Sequence, residues 1–378
     1  MRRLKLGFIG GGLNSAVGPA HRVASQMDGR WELVAGAFSR HPEINDATGT
    51  SWGVSADRVY DHWEDLLAAE RGRLDAVAVL TPIPAHAEEI DRLLQAGFDV
   101  ISEKSITGSS AEASSLARSA DQHSRFLAVT FNYSGYPMIR ELRARIQAGE
   151  LGRIQSVQVE MPQESFSRVD AGGSPLVPQE WRQHDGSIPT VSLDLGIHTH
   201  HLVQFLLGSD PISVVATQAH HGLITEVVDY VSCLAKYPDD VDVNMWFGKC
   251  ALGNRNGLRI RVYGDLAACE WVQAHPEELR FADRAGNIRI LDRATPGTLV
   301  AGDVRYMRFK AGHPAGFVEA FANLYWDLAD SLIKHQETGE FESQFVFGPV
   351  DAARGLAMME SMAASSASGV WQQVPRQK

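Results

Sequence analysis

The sequence predicts a two-domain α/β protein: a doubly wound parallel sheet first, then an α/β domain built on a large, mostly antiparallel open sheet. Three observations carry this reading. The chain has 378 residues, more than one hydrophobic core comfortably fills. Its first third alternates short apolar runs with helical patterns, which is the grammar of repeated strand–helix units. After about Phe131 the runs lengthen, alternate polar with apolar residues and lose most intervening helices. Such strands have one face on a core and the other toward solvent or a partner. The expected domains are residues 1–130 and 131–378.

The strands of the first domain are read at "KLGFIG", "ELVAGAF", "LDAVAVLT", "FDVISEK" and "RFLAVTF". Their nearly unbroken, β-branched apolar character is that of parallel strands buried on both faces. Between them "PAHRVASQM", "HWEDLLAAERG", "HAEEIDRLLQAG" and "SAEASSLARSADQHS" read as helices ending at Gly or polar caps. The helix "PMIRELRARIQAGELG" leads into the second domain, whose strands are "IQSVQVEM", "VVDYVSCLAKY", "VDVNMWF", "LRIRVYG" and "AACEWV". Residues 170–178, "DAGGSPLVP", read as a loop. Two late helical patterns, "GFVEAFANLYWDLADSLIKH" and "VDAARGLAMMESMAASS", are expected to pack on this second domain.

Composition narrows the function classes. Thirty-five basic against 46 acidic residues give a net charge of −11, so no basic surface advertises a nucleic-acid or membrane partner. No apolar stretch has the length of a signal-peptide core or of a membrane span. Cys233, Cys250 and Cys269 are odd in number and lack CxxC spacing, which points to reduced, core-buried thiols in a cytoplasmic protein.

The stretch "GFIGGGLNSAVGPAHR" places Gly10, Gly12 and the small Ser15 at G-x-G-x-x-[G/S] spacing, straight after a strand and before a helix. The first glycine permits a tight turn, the second lets a pyrophosphate approach the backbone, and the third position must be small for helix packing. This is the signature of a Rossmann dinucleotide site, with the helix N-terminus facing the phosphates. An Asp or Glu at the end of the second strand would hold the ribose of NAD. Here "AFSRHPE" offers Ser39 and Arg40, which suit a 2′-phosphate and so favour NADP(H), with NAD(H) possible. The alternative for Arg40 is adenine stacking or a solvated charge.

Three further stretches carry chemistry. Thr81, Pro82 and Pro84 in "VLTPIPAH" form a stiff loop at the carboxyl edge of the sheet, where ligands of such sheets bind. Glu103 and Lys104 end the next strand in "ISEKSITG"; such a lysine is either an ordinary solvated charge or, beside a dinucleotide, a donor that hydrogen-bonds a substrate hydroxyl and stabilises a developing alkoxide. In "SLDLGIHTHHL", Asp194 and His198 are four apart and share a helix face. Such a His is either a general base or a structural residue. No partner Cys or HExxH pattern accompanies the histidine run, so no metal site is assigned. Asn132 and Tyr133 follow the fifth strand, and Trp181 and Arg182 precede the Asp194 helix. The aromatics are substrate contacts or core. Arg182 reads a substrate carboxylate or phosphate, or makes an interdomain salt bridge.

In this order, the glycine turn, the Thr-Pro loop, the Glu-Lys pair and the D-x-x-x-H helix resemble the glucose–fructose oxidoreductase / inositol dehydrogenase / rhizopine catabolism (Gfo/Idh/MocA) family. The resemblance extends to "FNYSGYPMIRELRARIQAGELGRIQSVQ" and "HPAGFVEAFANLYWD". It implies an NAD(P)-dependent oxidoreductase that transfers hydride at a secondary alcohol of a sugar or polyol, with an open sheet used for assembly into a homodimer or homotetramer. By position, Lys104 matches the family's catalytic lysine, Asp194 its substrate-binding aspartate and His198 its catalytic histidine. Cofactor contacts are expected from Gly10, Gly12, Leu13, Ser15, Ser39, Arg40, Thr81, Pro82, His86, Glu103 and Lys104. Substrate contacts are expected from Lys104, Asn132, Tyr133, Trp181, Arg182, Asp194 and His198. The family usually writes Glu-Lys-Pro with a cis proline, whereas this chain has Ser105, so either that bond is cis without proline or the loop is rebuilt. Two rival readings keep the cofactor: glycoside cleavage through transient oxidation and elimination, or a dinucleotide sensor without catalysis.

Overall fold

A computed structural model describes residues 2–377. In chain order the first elements are β1 (Leu4–Gly10), α1 (Gly18–Met27), β2 (Trp31–Ala37), α2 (Pro42–Trp52), α3 (Trp63–Glu70), β3 (Ala76–Leu80), α4 (Ile83–Gln95), β4 (Val100–Ser102), α5 (Ser110–His123) and β5 (Leu127–Val129). Then follow α6 (Pro137–Gln147), β6 (Ile154–Pro162), α7 (Ile197–Leu207), β7 (Ser213–Ala219), β8 (Tyr230–Lys236), β9 (Asp242–Gly248), β10 (Arg259–Gly264), β11 (Ala267–Val272), β12 (Leu279–Asp283) and β13 (Ile288–Leu291). Two long helices, α8 (Phe317–Thr338) and α9 (Pro349–Ser368), and the short β14 (Gln372–Gln373) complete the chain.

The chain divides into two compact units. Unit 1 contains residues 1–107, 111–135 and 317–353, and unit 2 contains the remainder. In unit 1 the five strands are all parallel in the order β2-β1-β3-β4-β5. Every residue of β3, β4 and β5 is buried, as continuous apolar runs require. The strand order reverses at β1, whose carboxyl end is therefore the topological switch point where such sheets bind ligands.

Unit 2 holds a nine-stranded sheet in the order β13-β12-β11-β10-β6-β9-β8-β7-β14. Only β6 and β9 pair in parallel; their register aligns Val157 with Val243 and Val159 with Met245. Alternation sets the two faces. Val243, Met245 and Phe247 of β9 point inward beneath the entry to α7, whereas Leu234 of β8, Ile288 and Ile290 lie exposed.

The expectation that both late helices serve the second domain is corrected for α8. It packs along α1 in unit 1, and its Phe321, Leu324, Tyr325, Leu328 and Leu332 join the core of Leu6, Phe8, Trp31 and Ile101. The Trp31 indole donates to the Tyr325 carbonyl at 2.8 Å, and Arg30 pairs with Asp330 at 2.6 Å. Chain position suggested otherwise because an apolar helix stripe carries no address for the surface it covers. Helix α2 was not legible either, although Pro42 in its first turn and Gly53 in a left-handed C-cap bound it clearly. All three cysteines are free; Cys233 and Cys269 are buried as expected, but Cys250 is half-buried. Among the described residues, no helix is long and apolar enough to cross a membrane.

Candidate functional site

In unit 1 the site grows from the end of β1. Gly10 and Gly11 have φ of 74° and 76°, a left-handed conformation glycine adopts at little cost. A Cβ on Gly10 would lie 2.8 Å from the Thr81 amide nitrogen, so the loop after β3 rests directly on the turn. Gly12 donates its N–H to the Phe38 carbonyl at 3.1 Å, tying the turn to the end of β2. Helix α1 runs from Gly18 to Met27, within one residue of the stretch read from the sequence, so a longer turn separates it from β1 than the bare motif implies. A Cβ on Gly18 would fall 1.7 Å from the Gly11 carbonyl oxygen. Gly18, rather than Ser15, is therefore the small residue that lets helix and turn approach. Ser15 instead accepts hydrogen bonds on Oγ from the N–H groups of Gly18 at 3.1 Å and Val17 at 3.3 Å, shaping the helix entry.

Helix α2 supplies two pins that the sequence reading lacked. The Asn45 side chain accepts from the Phe38 N–H at 2.8 Å, and Thr48 Oγ1 accepts from the N–H of the exposed Leu13 at 3.2 Å. Ser39 Oγ accepts from the His41 N–H at 3.1 Å, and Arg40 is exposed just past β2, with no acidic residue in the Asp or Glu position of NAD binders. The bare turn and the Phe38 clasp leave the backbone open to the pyrophosphate of a dinucleotide.

Around Thr81 and Pro82 the structure is tightly braced. The Thr81 hydroxyl hydrogen-bonds to the Glu89 carboxyl, a partner not foreseen. Burial pushes Glu89 up to about 7. His86 is buried, with Nε2 2.7 Å from the Thr81 carbonyl and Nδ1 3.0 Å from the Ser105 carbonyl. Burial lowers the His86 pKa, so the ring favours the neutral form that donates one N–H. Both ring nitrogens thus face protein carbonyls, and His86 braces two loops.

Glu103 is buried and held by two side chains. Its Oε1 accepts from the Thr130 hydroxyl and lies 3.1 Å from His21 Nε2. Lys104 follows, half-buried, and the Lys104–Ser105 peptide bond is cis, so the loop keeps the cis form without proline. On the turn after β5, Asn132 is buried with its Nδ2 lacking a protein acceptor, and Tyr133 packs edge-on against Phe317 at 6.3 Å between centroids.

In unit 2 the chain reaches α7 through a π-helical turn, Ser192–Gly196, a local widening that recurs at functional sites. Gly196 is required there: a Cβ would meet Met359 Sδ at 2.6 Å and Phe247 Cζ at 2.7 Å. Asp194 lies on this turn and His198 in the first turn of α7; both are buried. Two cations converge on Asp194. Lys249 Nζ donates to Oδ2 at 2.6 Å, and Arg182 Nε donates to the same oxygen at 3.2 Å. Arg182 also stacks on Trp181, its guanidinium carbon 4.1 Å from the ring centroid. Its salt bridge therefore lies within the second unit. Lys249 was not anticipated, because nothing in "WFGKCALG" distinguishes it from a surface lysine. His200 and His201 are buried and held neutral by desolvation, His200 being lowered to about 4. Among the described residues no group of three or more His, Cys, Asp or Glu side chains is arranged to hold a metal ion.

Comparison with known proteins agrees with this arrangement. Residues 4–131 match the family model described as "Oxidoreductase family, NAD-binding Rossmann fold", and residues 139–270 match the GFO/IDH/MocA C-terminal domain. An uncharacterized oxidoreductase, YfiI, of Bacillus subtilis (strain 168) is 30% identical, over 97% of this chain and 96% of its own. An inositol 2-dehydrogenase of Rhizobium meliloti is 28% identical over 57% of this chain and 58% of its own. The crystal structure of an inositol dehydrogenase homolog from Azotobacter vinelandii, complexed with NADH and myo-inositol, superposes with a TM-score of 0.90 at 27% identity, covering 98% of each chain. With the glycine turn, the Glu103-Lys104 edge and the Asp194–His198 turn all in the expected elements, the chain belongs to the GFO/IDH/MocA family of oxidoreductases with an NAD-binding Rossmann domain.

Proposed function

We propose that the protein is an NAD(P)-dependent dehydrogenase or reductase that moves a hydride between nicotinamide C4 and a secondary alcohol or ketone of a sugar, polyol or sugar derivative, with NADP(H) preferred. The observation that supports it most is that the glycine turn and Lys104 lie on one carboxyl edge of the parallel sheet, at the ends of β1 and β4. The inositol-related names of its relatives support the substrate class. When bound, the nicotinamide supplies the hydride acceptor in one direction and the donor in the other. His198 takes the hydroxyl proton during oxidation and returns it during reduction. Lys104 donates a hydrogen bond to the same oxygen and stabilises negative charge there. Asp194 orients the hydroxyl, with its carboxylate anchored by Lys249 and Arg182. The buried Asn132 amide gains an acceptor when substrate binds, and Tyr133 and Trp181 complete the substrate contacts.

The test pairs cofactor titration with a polyol and sugar panel. His198→Asn leaves the dissociation constant for reduced cofactor unchanged but lowers oxidation by roughly 10²–10⁴-fold, the usual worth of a positioned base. Near-normal activity of that variant overturns the role of His198. Tighter binding of NADPH than NADH is expected, with the difference lost in Arg40→Ala; equal affinities in the wild-type protein overturn the preference. Net turnover of a glycoside without added cofactor favours the elimination chemistry instead. The open face of the unit 2 sheet, with Leu234, Ile288 and Ile290 exposed, is proposed to join copies into a homodimer or homotetramer. Light scattering that shows only monomer at micromolar concentration refutes this.

A further inference from the structure

Asp194 carries one negative charge and meets two cations. Lys249 is 6% exposed and donates from Nζ to Oδ2 at 2.6 Å. Its backbone is fixed as well: its N–H goes to the Asp229 carbonyl and its carbonyl accepts from the Phe166 N–H, both at 2.8 Å. Its ammonium also lies 5.3 Å from the Phe166 ring centroid. That lysine alone matches the carboxylate in charge. Arg182 nevertheless brings a second cation to the same oxygen, with Nε 3.2 Å from Oδ2 and Nη2 3.4 Å from Oδ1. Two like charges on one carboxylate repel, and taking the second out of water has a cost that the shared carboxylate does not offset in full.

Nearby acids do not balance Arg182. In the segment that carries it, Glu164 pairs with Arg168 and Arg255 and accepts from the Gly253 N–H at 2.9 Å. Asp170 accepts from the N–H groups of Gly172 and Ser174, and Asp185 from those of Thr190 and Val228. Glu180 is exposed, and among the described residues no ion pair joins it to Arg182.

The guanidinium is also held in one orientation. Trp181 stacks on it, with the guanidinium carbon 4.1 Å from the ring centroid. Gln179 Oε1 takes the Trp181 indole N–H at 3.1 Å and accepts from Arg182 Nη1 as well. Of the five N–H groups of an arginine, these contacts use one on each nitrogen and leave one on Nη1 and one on Nη2. With 20% of the side chain exposed, that outer edge is open to a ligand. Two N–H groups on one rigid plane match the two oxygens of a carboxylate or a phosphate.

We infer that Arg182 selects an anionic substrate: a sugar or polyol whose carboxylate or phosphate takes the outer edge of the guanidinium while one of its hydroxyls goes to Asp194. The arriving oxyanion supplies the negative charge that Arg182 otherwise shares with Lys249. The inference rests on the proposed role of Asp194 in orienting a substrate hydroxyl, and it narrows the substrate class of that reading.

The experiment is isothermal titration of the full-length protein, in excess reduced cofactor, with matched ligand pairs: glucose and glucuronate, sorbitol and gluconate, glucose and glucose 6-phosphate, myo-inositol and myo-inositol 1-phosphate. An alcohol beside reduced nicotinamide has no hydride acceptor, so binding is read without turnover. At least one anionic member should bind roughly 10–100-fold tighter than its neutral partner, the worth of charge-assisted hydrogen bonds. Which pairs show it tells a carboxylate from a phosphate. Arg182→Gln should remove most of that preference, whereas a role confined to holding Asp194 would weaken both members of a pair alike and leave their ratio unchanged. A panel in which no anionic member binds tighter than its neutral partner overturns the inference, as does a preference that survives Arg182→Gln. If that variant does not fold, Arg182→Lys decides: a point charge cannot make the two-pronged contact, so the preference should shrink, and an unchanged ratio overturns the inference equally. An anionic preference without turnover of any panel member would refute the dehydrogenase proposal and leave this one standing.

Discussion

Replacing Glu89 with Gln should stabilise the protein, and increasingly so as pH rises. Glu89 is 6% exposed on α4 and is pushed by burial from an ordinary 4.5 up to about 7, with Glu64 and Glu88 adding to the rise and the Thr81 hydrogen bond opposing it. Below the unfolded value both states hold the proton and the group has no effect on stability. Between the two values the native state retains a proton that the unfolded state has released, so stability falls with pH, and above the native value the whole penalty is present. A shift of about 2.5 units at about 1.36 kcal/mol each gives a penalty of roughly 3 kcal/mol. Glutamine cannot ionise and still accepts from the Thr81 hydroxyl, so it mimics the protonated acid. At ~1 °C per kcal/mol for a chain of 378 residues, Glu89→Gln should raise the melting temperature by roughly 3–4 °C above the native pKa and leave it nearly unchanged near pH 4.5. Differential scanning calorimetry across this window measures the difference directly. A difference that does not grow with pH would show that Glu89 is not carrying a buried charge and would refute the reasoning.

Other perturbations test the two halves of the site. Gly18→Ala places a methyl 1.7 Å from the Gly11 carbonyl oxygen, so fluorescence titration should show weakened binding of both reduced cofactors, and melting should show a loss of about 1–3 kcal/mol from overpacking. Unchanged binding and stability would mean that helix and turn do not need to touch. Lys249→Met removes the ammonium 2.6 Å from Asp194. Steady-state kinetics should then show a raised substrate KM with cofactor affinity intact, and an unaltered KM would show that the clamp on Asp194 is dispensable. Thr48→Val removes the acceptor for the Leu13 N–H and should weaken cofactor binding by about 0.5–1.5 kcal/mol, the net worth of one hydrogen bond; isothermal titration reads it, and no loss refutes the role of α2 in shaping the turn.

Much of this was legible without coordinates because it depends on local constraints. Apolar runs buried on both faces named the five parallel strands, and polar–apolar alternation named the second sheet. A turn that must bring backbone against phosphate needs glycine, so Gly10 and Gly12 stood out by type and spacing. The carboxyl ends of β3 and β4 likewise fixed attention on Thr81, Pro82, Glu103 and Lys104. What the tertiary structure alone decided is which side chains face one another across long loops. That Gly18 rather than Ser15 touches the turn depends on where α1 starts, a property of packing. That α8 joins unit 1, and so brings Tyr325 to His21, involves residues 304 positions apart. Lys249 meets Asp194 across 55 positions, and a lysine in sequence looks the same whether solvated or buried. Spacing reports the backbone geometry of one element, whereas charge pairing and desolvation arise only when separate elements close on a shared interior.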